Sequence, residues 1–111
     1  MELERKLKKK IKEMKVYLKI HRREEIETVA CCDEILLNKS FSKGDLIIKI
    51  SEQFFGGTLI NIEEAIEILK EALYFNIVGE NITSVAISHN ILPKEGVRSI
   101  NGIPMALKMM F

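Results

Sequence analysis

Residues 52–80 read EQFFGGTLINIEEAIEILKEALYFNIVGE, and the fold depends on how they are divided. Two glycine-centred segments, Glu52-Gln53-Phe54-Phe55-Gly56-Gly57 and Asn76-Ile77-Val78-Gly79-Glu80, bracket one stretch of helical spacing from Ile62 to about Ile77. Ala65, Ile66, Leu69, Ala72 and Leu73 recur at helical intervals and predict a broad core stripe, with Glu63, Glu67, Lys70 and Glu71 off it. Asn61 followed by Glu64 is a variant of the capping box that opens helices. Gly79 suits the left-handed position that closes one. A second helix is expected over about 80–89, burying Ile82, Val85 and Ala86. Asn90 can end it, and Pro93 blocks any extension.

Outward from this centre the pattern changes to strands. Val16-Tyr17-Leu18-Lys19-Ile20-His21 alternates as a half-buried strand does, and Ile26 to Cys32 reads as its hairpin partner. Asp33-Glu34-Ile35-Leu36-Leu37-Asn38 fits a single helical turn capped by Asp33. Lys43-Gly44-Asp45 signals a turn, after which Leu46, Ile48 and Ile50 share one face of a third strand. At the other end, Ile100-Asn101-Gly102-Ile103 predicts a type I′ hairpin, because both central residues need positive φ. Met105, Leu107, Met109 and Phe111 then alternate inward, and Pro104, which has no N–H to donate, places that strand at an edge. The expected class is α+β: a small antiparallel or mixed sheet of about five strands, with two main helices on one face. Residues 14–111 form its single domain, and residues 1–13 a basic helical extension.

The charge is unevenly spread. The chain of 111 residues has a formal net charge of only +1, yet residues 1–23 hold ten Lys/Arg against three Glu. The remainder holds seven against thirteen Asp/Glu. Leu3, Leu7, Ile11 and Met14 make a narrow apolar stripe on the predicted N-terminal helix. Arg5, Lys6, Lys8, Lys9, Lys10 and Lys12 cover its other sides, and Lys15, Lys19, Arg22 and Arg23 follow on the first strand. Such a cationic front end predicts an anionic partner. No apolar run reaches the ~18 residues of a membrane helix, and the charged N-terminus lacks the apolar centre of a signal peptide, so the expected compartment is the cytoplasm and no membrane partner is expected.

Four segments, Val29-Ala30-Cys31-Cys32-Asp33-Glu34-Ile35-Leu36, Glu52 to Gly57, Asn76 to Glu80 and Asn101-Gly102-Ile103-Pro104, resemble in content and order the small archaeal family catalogued as domain of unknown function 424. The resemblance covers about Met14 to Phe111. It implies a compact α+β fold and an archaeal cytosolic protein, and no established activity. Members begin near Met14, so the basic helix reads as an addition. Members also carry a His just after the hairpin proline, where this chain has Met105. A catalytic or ligating role of that His would be lost here, which leans the reading away from an enzyme.

Other chemistry finds little support. Cys31 and Cys32 are adjacent and have no partner pair, which is too few thiolates for zinc. Their side chains point to opposite faces of a strand, so they read as structural thiols. His21 and His89 lack ligand spacing and read as surface or capping residues. Gly56-Gly57 lacks the Gly-Lys-Ser/Thr ending of a phosphate loop. Phe54 and Phe55 beside the glycines are open to two readings: a base-stacking surface, or a seal over the core. Asn76 and Glu80 could end and start helices, or could join Glu52 around a polar cleft.

The sequence therefore leads to a non-enzymatic RNA- or ribosome-associated accessory factor. Its basic arm would bind RNA or a ribonucleoprotein. Glu52, Phe54, Phe55, Gly56, Gly57, Asn76, Gly79 and Glu80 would form a second ligand or partner surface. No cofactor or metal is expected. The alternatives are a small-molecule binder or enzyme built on the same glycine turns, and an interaction module that adds a strand at Pro104 or docks its Leu3/Leu7/Ile11 stripe.

Overall fold

The computed structural model describes residues 2–109. In chain order it has α1 (Glu2–Glu13), β1 (Lys15–Arg23), β2 (Ile26–Asp33), a 3-10 turn (Glu34–Leu36), β3 (Ser40–Lys43), β4 (Leu46–Lys49) and α2 (Glu52–Phe55). There follow β5 (Thr58–Asn61), α3 (Ile62–Glu71), β6 (Tyr74–Val78), α4 (Glu80–Ser88), a 3-10 turn (Lys94–Gly96), β7 (Arg98–Ile100) and β8 (Ile103–Lys108). Six strands form one mixed sheet in the order β5-β1-β2-β6-β8-β7, in which only β2 and β6 run parallel; β3 and β4 form a separate two-stranded sheet.

The sheet carries a core on each face, because its central strands are buried on both sides. On the first face Val16, Leu18, Val29, Cys31, Phe75, Ile77 and Ala106 pack under α3 and α4. Helix α3 contributes Ile62, Ala65, Ile66 and Leu69, at the spacing that puts one stripe of a helix against a sheet. On the second face Ala30, Cys32 and Val78 pack under Phe55 of α2, while Phe41 and Ile48 of the β3–β4 hairpin close over them. The two cysteines thus enter different cores.

Several expectations need correction. The long helix ends at Glu71, and Tyr74 to Val78 is a strand in mid-sheet. That run is too short for its period to distinguish a helix from a strand, and parallel pairing with β2 decides the matter. Asn76 therefore lies inside a strand, and Gly79 starts α4 instead of ending α3. Leu73 is consequently 54% exposed. Asn61 makes no side-chain cap on α3; it closes β5 opposite Lys15. Asp33 does not cap the turn that follows it. The strand at 46–49 pairs with β3, not with the main sheet, which leaves Leu46 exposed.

The Asn101-Gly102 turn does have φ of 52° and 81°. However, β7 is the edge strand and β8 lies inside it. Pro104 is tolerated because β8 begins its pairing with β6 at Met105; just beyond, the Pro104 carbonyl accepts from Gly79 N at 2.9 Å, and no N–H is required. Met105 does pack against the second core and Ala106 enters the first, whereas Leu107 and Met109 are 68% and 60% exposed. Phe111 lies outside the described residues.

Candidate nucleic-acid interface

Helix α1 buries no residue. It touches the domain through Ile11, which with Met14 packs on the edge of the first core, while Leu3 and Leu7 stay exposed. Arg5, Lys6, Lys8, Lys9, Lys10 and Lys12 are all exposed around it. Strand alternation then divides the cations of β1 between faces. Tyr17 belongs to the second core, so Lys15, Lys19 and Arg23 share the second face. Arg22 points to the first, paired with Glu27 at 2.9 Å.

The second face has a consistent chemistry. Register sets Lys19, Ala30, Asn76 and Leu107 in one row across β1, β2, β6 and β8, with His21, Thr28 and Tyr74 in the next row and Arg23 beside Ile26 beyond it. Arg98 lies opposite Met105 on the same side. The described second-face positions of the six strands thus carry Lys15, Lys19, Arg23 and Arg98 and no acidic residue; Glu27 and Asp33 fall on the first face.

The Phe54 turn is built onto this face. Ser51 Oγ accepts from Phe54 N at 3.2 Å and starts α2, and Phe55 is buried. Phe54 stacks on His21 with ring centroids 4.6 Å apart and planes at 18°. His21 Nε2 donates to Phe54 O at 2.7 Å, and Lys19 Nζ donates to Gln53 O at 2.7 Å, so β1 side chains satisfy carbonyls at the end of this short helix. A Cβ on Gly57 would meet Leu18 O and would lie 2.8 Å from Lys19 Cα; its absence lets β5 reach β1. Within 52–57 the glycines and Phe55 thus serve the fold, while Phe54 is half-buried at the rim of an open hollow of about 740 Å³ beside His21, Arg23 and Thr28.

Asn76 borders a second hollow, of about 540 Å³, with Arg98, Leu107 and Glu95. Among the described residues no protein hydrogen bond engages its side-chain amide. Glu80 is elsewhere: α4 packs on the first face and α2 on the second, so the structure does not gather Glu52, Asn76 and Glu80 into one cleft. Gly79 has φ of 127° and sits against Asp33, whose carboxylate accepts from Asn81 N at 2.8 Å and Ile82 N at 2.9 Å. Burial pushes the Asp33 pKa up and outweighs these two bonds, and nearby Glu80 adds to the rise. Burial also raises both thiols, Cys32 to about 12. No group of three His, Cys, Asp or Glu among the described residues is placed to hold a metal. No helix among them is long and apolar enough to cross a membrane.

Residues 20–110 match the family described as protein of unknown function (DUF424). The chain belongs to this family. Helix α1 and the first five residues of β1 lie outside the matched span. The fold is also that of an uncharacterized conserved protein from Methanopyrus kandleri, with a TM-score of 0.75 and 24% identity over 84% of this chain and 89% of that one. No curated protein matches.

Two residues of this surface, and one at the β2–α4 junction, escape a reading by motif. Tyr74 is hidden by the helical spacing that continues past Glu71. Arg98 lies far from the N-terminal cluster in sequence and joins the same face through the pairing of β7, β8 and β6. Asp33 has a recognised capping residue type, but its helix begins 47 residues later. A strand assignment for 74–78 would have revealed the first.

Proposed function

We propose that this family member is a non-enzymatic accessory factor of the cytoplasm that binds RNA or a ribonucleoprotein through α1 and the cationic face of β1. The observation that carries this reading is the placement of charge. Six Lys/Arg surround a helix that spends only Ile11 on the domain, and the next cations, Lys15, Lys19 and Arg23, continue on a sheet face whose strand positions lack acidic residues. Cations that are not engaged in ion pairs remain available to phosphates. Of the ten in residues 1–23, Arg22 is the one in a described salt bridge.

Phosphate contact is a testable mechanism, because each neutralised phosphate releases counterions. With roughly four to six contacts, the binding constant should fall with salt at a log–log slope of about −3 to −5. Filter binding to ribosomal RNA fragments tests it, comparing the full chain with a variant in which Arg5, Lys6, Lys8, Lys9, Lys10 and Lys12 are all Gln. The variant should bind more weakly and with a shallower slope. Equal, weak and salt-insensitive binding by both would end the proposal.

A further inference from the structure

We infer that the uncovered half of the second sheet face is a platform for single-stranded RNA, on which Tyr74 stacks a base and the Asn76 amide reads a base edge. The inference rests on the RNA reading above and specifies where, and in what form, the RNA is held. Helix α2 and the β3–β4 hairpin roof only part of this face. The rest is left open although it carries apolar and aromatic side chains. Leu107 and Ile26 are 68% and 48% exposed, and Tyr74 and Thr28 are half-buried at its centre. By register Tyr74 stands beside Thr28, which lines the hollow at Phe54, and two residues from Asn76, which lines the hollow at Arg98.

Charge decides among occupants. Lys19 and Arg23 stand on one side of the open floor and Arg98 on the other, with no acidic strand position between them. Glu24 and Glu95 lie only at the flanking turns; Glu25, Glu27 and Glu71 border a hollow at the start of β6 that Tyr74 and Ile26 also line, so the acidic end of the floor lies at that rim and the cations at its other sides. An apolar and aromatic floor between cations fits a chain that alternates flat bases with phosphates. A duplex conceals its base faces and cannot use the floor. An amide presents a donor and an acceptor side by side, the pattern that matches a base edge, and no hydrogen bond among the described residues engages that of Asn76.

The test is fluorescence anisotropy with labelled single-stranded RNAs of about ten nucleotides, one homopolymer of each base, and a duplex of equal length. Melting curves check that each variant is folded. Tyr74→Leu and Arg98→Gln are each expected to weaken single-strand binding about 5–10-fold and to leave duplex binding unchanged. Asn76→Ala should level the preference among homopolymers. The α1 glutamine variant should weaken single strands and duplex alike. Photo-crosslinking of the wild-type chain gives a second readout that needs no substitution: crosslinks should fall on the strands holding Tyr74, Asn76 and His21.

If these three variants bind as the wild type does while the α1 variant loses binding, or if crosslinks stay within residues 2–13, the platform is refuted and the RNA reading survives. If the wild type shows no salt-sensitive binding to any RNA, both fall. Binding that is competed by an acidic peptide and not by RNA would also overturn the platform.

Discussion

The Asp33 carboxylate occupies the space in which Gly79 would otherwise carry a side chain: an ideal Cβ on Gly79 would lie 2.7 Å from Asp33 Oδ1. The same carboxylate caps α4 through Asn81 N and Ile82 N, so one residue at the end of β2 fixes where β6 stops and the helix begins. Gly79→Ala would place strain at φ 127° and expel this cap. The expected loss is about 2–4 kcal/mol, combining a strained backbone with a lost helix cap, measured by urea unfolding. A loss below about 0.5 kcal/mol, the range of ordinary surface substitutions, would show that the junction is not held this way.

The pH dependence of Asp33 follows from its raised pKa. The folded chain takes up this proton at higher pH than the unfolded chain does. The stabilisation linked to it is therefore complete below the ordinary carboxylate range, and is lost as pH rises through the raised value. The stability of wild type relative to Asp33→Asn should increase on acidification from pH 7, as read by urea melts across that range. A relative decrease would mean that the amide bonds to the charged form outweigh burial.

Cys31 and Cys32 are completely buried in different cores, with both thiols shifted upward by burial. Their reactive thiolate forms are therefore scarce near neutral pH. Labelling by a thiol reagent under native conditions should be limited by unfolding and should accelerate with urea in step with the unfolding curve. Prompt labelling of either cysteine in the native protein would contradict this placement.

The His21–Phe54 contact joins β1 to α2 by stacking and by a hydrogen bond to the Phe54 carbonyl. His21→Ala should cost about 1–2 kcal/mol, since it removes an aromatic pair and leaves the carbonyl at a frayed helix end. Circular dichroism melts would register it. An unchanged melting temperature would show that this contact does not hold α2 to β1.

How far the sequence reveals the fold differs from element to element. The β1–β2 hairpin, α4 and the Asn101-Gly102 turn are legible because each has a local cause: alternation, a buried helical stripe, or a need for positive φ. Tyr74 to Val78 is not legible. Its burial alternates, with Phe75 and Ile77 inside and Tyr74 and Asn76 half-buried, but the run is only five residues long and its partner β2 is more than forty residues away. The site shares this limit. The cationic arm is evident as a run of lysines, whereas the face that joins Lys19, Asn76 and Arg98 exists only once β1, β2, β6, β8 and β7 are paired. The same pairing separates Glu52 from Glu80, which sequence proximity to the glycine turns had grouped.

An NMR titration of the full chain with single-stranded RNA at low salt tests the central claim most directly. Amide shifts should cluster on α1 and on second-face positions such as His21, Thr28, Tyr74, Asn76 and Leu107, and should diminish as salt is raised. Shifts confined to the acidic exposed side of α3, or an unchanged spectrum at saturating RNA, would contradict it.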